Sequence, residues 1–223
     1  MFDIDGTLVS GGSAAKVAFE TAMIEVFGTA GPIEDHDFSG KTDPLIAREL
    51  LELAEFTDGE IESGLPRVWE RYLSGLELGL RSDPVQTLPG VGRLLDALRL
   101  RPDARMGLVT GNLEQGAYLK LGSVGLRERF RLGAFGSDHE ERNRLPPLAV
   151  ERAKEVWGID FQAEAVVIVG DTPRDIECGK HVGGRTVAVA TGRWSHQQLE
   201  EAGAHQVIPD LSDLHQSLTA ILG

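Results

Sequence analysis

The sequence predicts an α/β fold, a doubly wound parallel sheet with an all-helical segment inserted near the N-terminus. Three observations carry that reading. Short apolar runs alternate with amphipathic stretches over most of the 223 residues. Two of the runs, residues 165–170 (AVVIVG) and 185–190 (RTVAVA), are nearly unbroken and rich in valine, as strands covered on both faces should be. Residues 13–81 depart from the alternation and read as helix throughout.

Taken in order, the chain opens on MFDIDGTLVSGG, an apolar start that runs into acidic residues and then glycines. In residues 13–81 the apolar positions Ala15, Phe19, Ala22 and Val26 step by four, three and four, which marks one helix face. Residues 44–54 and 60–80 continue in the same style. Gly11-Gly12 precedes this block and Leu88-Pro89-Gly90 follows it, and both are expected hinges. The domain reading is a core of residues 1–12 and 82–223 and a helical cap of residues 13–81. Beyond it, strands are predicted at 105–109, 165–170, 185–190 and 206–208. Helices are predicted at 91–100, 113–121, 147–157, 174–181, 195–202 and 211–222. Strand–helix alternation of this kind builds a parallel sheet with helices on both faces. Ligands then bind at the carboxyl ends of its strands.

Composition narrows the function. Lys and Arg number 22 and Asp and Glu 35, a net charge of 22 − 35 = −13. That field repels nucleic acid, so the expected partner is a small molecule. No uncharged apolar stretch approaches the ~18 residues of a membrane span. Cys178 is the single cysteine, so no intrachain disulfide forms, and with no signal-peptide pattern the expected location is the cytoplasm. A monomer or homodimer is expected.

Three constellations carry chemistry. In Asp3-Ile4-Asp5-Gly6-Thr7, strand alternation puts Asp3 and Asp5 on one face. Two close carboxylates repel unless one is protonated or a cation neutralises them, so both belong to the candidate metal set. They also divide naturally into a nucleophile, Asp3, and a proton carrier, Asp5. The competing reading is a plain Asp-Gly turn. In the second constellation, the apolar strand ending at Gly170 meets Asp171-Thr172-Pro173-Arg174-Asp175. Pro173 suits the first turn of a helix. Asp171 and Asp175 offer the hard oxygen ligands that suit Mg²⁺, and helix capping would explain only one of the two. In the third, Thr110-Gly111-Asn112 ends another strand, where a hydroxyl and backbone N–H groups can hold a phosphate oxygen. A phosphate also needs a cation. Arg142 and Arg144 precede a predicted helix, and Lys41 in the helical segment is a contact from the lid side. Gly40-Lys41-Thr42 mimics the end of a phosphate-binding P-loop, but the glycine which that motif requires is Asp35.

DIDGT, LVTGN and VGDTPRDIECG, in this order and spacing, resemble the haloacid dehalogenase superfamily of phosphohydrolases. The likeness spans essentially the whole chain, and the helical segment resembles the cap of the phosphoglycolate phosphatase-like branch. The resemblance implies a Rossmann-like core and a Mg²⁺-dependent phosphatase acting on a small phosphorylated metabolite through an aspartyl-phosphate intermediate. It implies Asp3 as nucleophile and Asp5 as general acid/base. Asp3, the Ile4 carbonyl and Asp171 would ligate Mg²⁺, with Asp175 supporting the site. Thr110 and Gly111 would bind the phosphoryl group. The family's Lys before Pro-x-Pro is absent. Counting back from Gly158 favours Arg144 in its place, while Arg142 stays open. A sugar-phosphate mutase would share this core, a dehalogenase would lack Asp5, and a non-catalytic binding protein would have no use for the full acidic set. Only Met1 and Phe2 precede Asp3, where the family has a longer apolar strand. A native start upstream of Met1 is therefore expected.

Overall fold

The computed structural model describes residues 1–223. The chain folds as the predicted α/β architecture. A small antiparallel ribbon pairs β1 (Val9–Ser10) with β2 (Gln86–Thr87). The main sheet is parallel. Its strands are β3 (Leu108–Thr110), β4 (Gly133–Phe135), β5 (Val167–Gly170), β6 (Arg185–Val189) and β7 (Gln206–Ile208). The first residues join its two halves, because Phe2 bridges Leu108 on one side and Val169 on the other. The Phe2 and Asp3 N–H groups donate to Gly107 O and Val169 O, each at 2.9 Å. The spatial order is therefore β4, β3, residues 1–3, β5, β6, β7.

Strand alternation decides what covers each face. Leu108 and Val169 point into the larger core with Phe2, Leu94, Ala117 and Ile221. Their neighbours Val109 and Ile168 point the other way, onto Leu145 and Ala149. Both faces need helices, and the chain supplies them.

Helices α1 (Ala14–Phe27), α2 (Asp43–Leu53) and α3 (Asp58–Ser82) fill the chain between β1 and β2. Then follow α4 (Val91–Arg99), α5 (Glu114–Ser123), α6 (Leu145–Trp157), α7 (Pro173–His181), α8 (His196–Glu201) and α9 (Leu214–Leu222). Their starts follow local chemistry. Thr42 caps α2 by accepting from Leu45 N–H, with Pro44 in the first turn. Thr172 and Asp175 form a reciprocal capping box on α7. The Asp213 carboxylate accepts from Gln216 N–H, so α9 begins three residues later than the predicted 211.

The predicted stripe of α1, Ala15, Phe19, Ala22 and Val26, lies on its core-facing side. Ala14, Ala18, Phe19, Ala22 and Met23 are buried, while Ala15 and Val26 are half-buried. Ala15 and Val26 pack against the larger core, and Ala15 also lines a pocket. Ser13 N–H and Oγ both donate to Asp83 Oδ2, at 2.5 and 2.9 Å, so entry and exit meet at Ser13 and Asp83, upstream of β2. Strand β4 is not among the predicted strands; its Gly133-Ala134-Phe135 carries only one large apolar side chain. No helix is long and apolar enough to cross a membrane.

Candidate active site

Three strand ends meet at the carboxyl edge of the sheet. Asp3 follows the central segment, Thr110 closes β3 and Asp171 follows β5. Above them lies a pocket of about 530 Å³ lined from the core by Asp3, Asp5, Thr110, Gly111, Arg142 and Asp171. From the helical segment it is lined by Phe19, His36, Lys41, Asp43 and Tyr72.

The acidic floor is assembled by a turn. After Ile4 the backbone folds back on itself, and Thr7, Leu8 and Val9 N–H groups all donate to Ile4 O at 3.3, 2.9 and 3.0 Å. The Ile4 carbonyl, expected among the metal ligands, thus accepts three N–H bonds from the turn. Gly6 sits in this turn at φ +81°, and a side chain there would collide with the Asp171 carboxylate. Thr7 Oγ1 donates to Asp171 Oδ1 at 3.2 Å, tying the turn to the third strand end.

Asp3, Asp171 and Asp175 are buried, and one carboxylate oxygen from each lies within 4.8 Å of the others. Burial pushes the Asp3 carboxyl up to about 6, against the pull of Arg142 and with the repulsion of Asp175 and Asp5. Burial, then Asp175 and Asp3, push Asp171 up to about 8. Such a set calls for a cation beyond the one it has, and its hard oxygens fit Mg²⁺. Asp175 stands back from that role. Its Oδ1 accepts from Arg142 Nη2 at 2.6 Å, and its Oδ2 accepts from Thr172 N–H and Oγ1 at 3.0 and 2.7 Å.

Arg142, not Arg144, reaches this floor. Arg142 Nη2 lies 3.0 Å from Asp3 Oδ1, and its Nη1 donates to Gly40 O at 3.2 Å. Its Nε–H is buried without a partner. Arg144 pairs with Glu141 at 3.4 Å, with 61% of its side chain exposed. The count back from Gly158 misplaced the residue because a short 3₁₀ turn, Arg142–Arg144, precedes α6 and points the two arginines apart.

The Asp5 carboxylate stands outside the three-carboxylate cluster. Its Oδ1 and Oδ2 accept from Lys120 Nζ at 2.9 and 2.8 Å, and Oδ2 accepts from Asn112 Nδ2 at 2.7 Å. Burial alone would raise the Asp5 carboxyl, but Lys120's charge and these bonds outweigh it and hold the group below its ordinary value. Asn112 is thereby committed to Asp5 and to Thr110 Oγ1, 2.8 Å away. Lys120 was missed in the sequence. The available signal was its position in an otherwise apolar stripe, Leu113, Ala117, Leu121 and Val124.

The loop of Gly40 to Asp43 is seated on the core. Asp43 N–H donates to Gly111 O, and Leu113 N–H donates to Asp43 Oδ2, both at 2.8 Å. Thr42 Oγ1 donates to Glu140 O at 2.6 Å. A side chain at Gly111 would strike the Lys41 carbonyl. Lys41 lines the pocket with its charge shared by Glu49, 2.5 Å away, which His36 also meets at 2.9 Å. Cys178 is buried, and burial pushes its thiol up to about 12, so it is no nucleophile.

Comparison with known proteins gives the family. The family model for haloacid dehalogenase-like hydrolases matches residues 1–189. A phosphoglycolate phosphatase of Synechococcus elongatus is 31% identical over 222 residues, covering 100% of this chain and 97% of its own. The 2-deoxyglucose-6-phosphate phosphatase 1 of Saccharomyces cerevisiae is 25% identical over 96% of this chain and 88% of its own. Among solved structures, a hydrolase from Pseudomonas syringae superposes with a TM-score of 0.71 at 22% identity, covering 99% of this chain and 97% of that one. With its family model matched across both halves of the acidic site, the chain belongs to the haloacid dehalogenase-like hydrolases.

Proposed function

We propose that the protein is a Mg²⁺-dependent phosphatase that hydrolyses a small phosphorylated metabolite through an aspartyl phosphate on Asp3. The observation that carries the reading is the setting of Asp3. It is a buried carboxylate on the pocket floor with Arg142 at 3.0 Å and two further carboxylates beside it. Asp3 and Asp171 would hold the ion and Asp175 would brace them through Arg142. When bound, Mg²⁺ would offset the carboxylate charge and polarise the phosphoryl group.

The chain's own residues divide the remaining work. Asp3 attacks phosphorus and the ester P–O bond breaks toward the departing oxygen, which takes a proton from Asp5; because Asp5 rests as a carboxylate beside Lys120, that proton is one the monoanionic ester brings and passes to Asp5 on binding. Water then attacks the acyl phosphate, giving its proton to Asp5, and Asp3 is released. Arg142 and Thr110 face the phosphoryl oxygens, where fixed donors act without reorganising. The helical segment serves as a cap, and its Gly40-to-Asp43 loop closes the pocket against water. Lys16, Lys41 and Arg193 line the pocket, each paired with a carboxylate (Glu34, Glu49 and Asp37), and the relative that is 31% identical over the whole chain is a phosphoglycolate phosphatase. That supports a substrate of the phosphoglycolate kind.

The test is turnover of p-nitrophenyl phosphate and of a panel of phosphorylated metabolites with Mg²⁺. Wild-type protein should release inorganic phosphate, and Asp3→Asn should abolish the activity. Activity that survives Asp3→Asn, or isomerised sugar phosphate in place of free phosphate, would overturn the reading.

A further inference from the structure

Lys120 is the one buried lysine, with 6% of its side chain exposed. An ammonium has three protons to donate, and all three have acceptors. They are Asp5 Oδ1 at 2.9 Å, Asp5 Oδ2 at 2.8 Å and Asn112 Oδ1 at 2.7 Å. Asn112 completes the clamp, since its Nδ2 donates both to Asp5 Oδ2 and to Thr110 Oγ1. Asp5 thus receives three N–H bonds on one side. The other side opens on the pocket, with half of the side chain accessible. A counter-ion alone would need only proximity. A fork on both oxygens also fixes the plane of the carboxylate.

The clamp is anchored on rigid parts. Lys120 rises from α5, whose buried face otherwise consists of Gly116, Ala117 and Leu121. The cap pins that helix from above. Asp43 holds the Leu113 N–H at its start, and Tyr72, Leu73 and Leu76 of α3 flank Gly116.

We propose that Lys120 is a positioning residue for proton transfer by Asp5. This deepens, and rests on, the aspartyl-phosphate reading above. After the first transfer Asp5 is left as a carboxylate. Lys120 and Asn112 hold it there, aimed into the pocket. In the second step a water oxygen bonds to phosphorus, and the water proton passes to Asp5. The P–O bond to Asp3 breaks, with its electron pair returning to the Asp3 carboxylate. Losing the clamp slows this second step.

p-Nitrophenyl phosphate separates the two steps, because its leaving group departs without a proton. Its kcat/KM reports formation of the aspartyl phosphate, and kcat reports hydrolysis once that step limits. Asp5→Asn, Lys120→Met and Lys120→Gln are compared with wild type by rapid mixing and steady-state kinetics. Lys120→Met should lower kcat by about 10–100-fold, a share of the 10²–10⁴ that positioned proton transfer contributes. Its kcat/KM should stay within about threefold, and a burst of p-nitrophenol should approach one per active site. Asp5→Asn should show the same burst more strongly, and Lys120→Gln, which keeps a donor, should fall between wild type and Lys120→Met. If Lys120→Met lowers kcat and kcat/KM together without a burst while Asp5→Asn shows one, Lys120 is structural and the inference fails. If Asp5→Asn itself shows no burst, the role given to Asp5 fails and the inference with it. Should Lys120→Met not fold, Lys120→Gln against Asp5→Asn decides by the same split.

Discussion

Arg142 Nη2 stands 3.0 Å from Asp3 Oδ1, both side chains almost wholly withdrawn from solvent. The same nitrogen donates to Asp175 at 2.6 Å, so one guanidinium serves two buried carboxylates. Removing it strands both charges, which for a buried pair costs about 3–5 kcal/mol. Arg142→Met should therefore lower both the unfolding midpoint and turnover, the latter by at least about 10²-fold, as loss of a fixed charge-stabilising donor does. Arg144→Met should leave both close to wild type, since exposed pairs contribute about 0–1 kcal/mol. Thermal melts and p-nitrophenyl phosphate assays on the two variants check this, and equal losses would refute the geometric choice.

The three-carboxylate cluster predicts a metal-linked stability. Asp171 is pushed up to about 8 by burial and by Asp175 and Asp3, so a bound cation relieves repulsion present in the folded state. Mg²⁺ should raise the melting temperature of EDTA-treated protein by an amount that grows with concentration. The gain is about 2.7 kcal/mol at a hundred times the dissociation constant. Asp171→Asn should remove most of that dependence. Scanning calorimetry across a Mg²⁺ series measures it, and an unchanged melting curve would count against the site.

Asp43 predicts a pH effect outside the metal ligands. Burial pushes its carboxyl up to about 6. Lys120 and the Leu113 N–H oppose the shift, and Asp5 adds to it. The folded state thus binds this proton more tightly than the unfolded chain, whose carboxyl titrates near 3.8. The associated stability is fully present below about pH 4 and is lost as pH rises through 6. Asp43→Asn keeps an oxygen for Leu113 and carries no such proton. From pH 5 to pH 8 the wild type should lose about 1.4 kcal/mol relative to Asp43→Asn, one pH unit's worth of linkage. Urea unfolding of both proteins across that range gives the difference, and a constant difference would contradict it.

Gly111 predicts a seating defect. Its missing side chain leaves room for the Lys41 carbonyl, while its own carbonyl accepts from Asp43 N–H. Gly111→Ala should push the Gly40-to-Asp43 loop off the core and raise KM for the natural ester. The fold should survive, because the clash lies at a surface between two packed units rather than inside either. Substrate kinetics with a far-ultraviolet circular dichroism control tests it. An unchanged KM would show that the loop seats elsewhere during turnover.

Much of the architecture and several site positions were legible in the chain. Residues 165–170 and 185–190 read as buried strands because parallel sheets are covered on both faces, and they form β5 and β6. Asp3, Asp171 and Asp175 stood out because strand ends in such sheets face the ligand, and the structure brings them together. The helical segment was legible from its period, and the α1 stripe of Ala15, Phe19, Ala22 and Val26 packs on the core. β4 was missed because Gly133-Ala134-Phe135 carries a single large apolar side chain.

What the sequence by itself determined is the order of elements and the identity of the acidic floor, both set by local pattern. Tertiary structure alone decided which cations serve that floor. A lysine on a helix reads as solvated until the fold buries it, and Lys120 enters the site only because α5 packs beneath the cap. Likewise Arg142 and Arg144 differ by two positions in sequence, and the turn before α6 sends one inward and the other to solvent. Charge partners are chosen by distance in space, and neighbours in the chain carry little of that information.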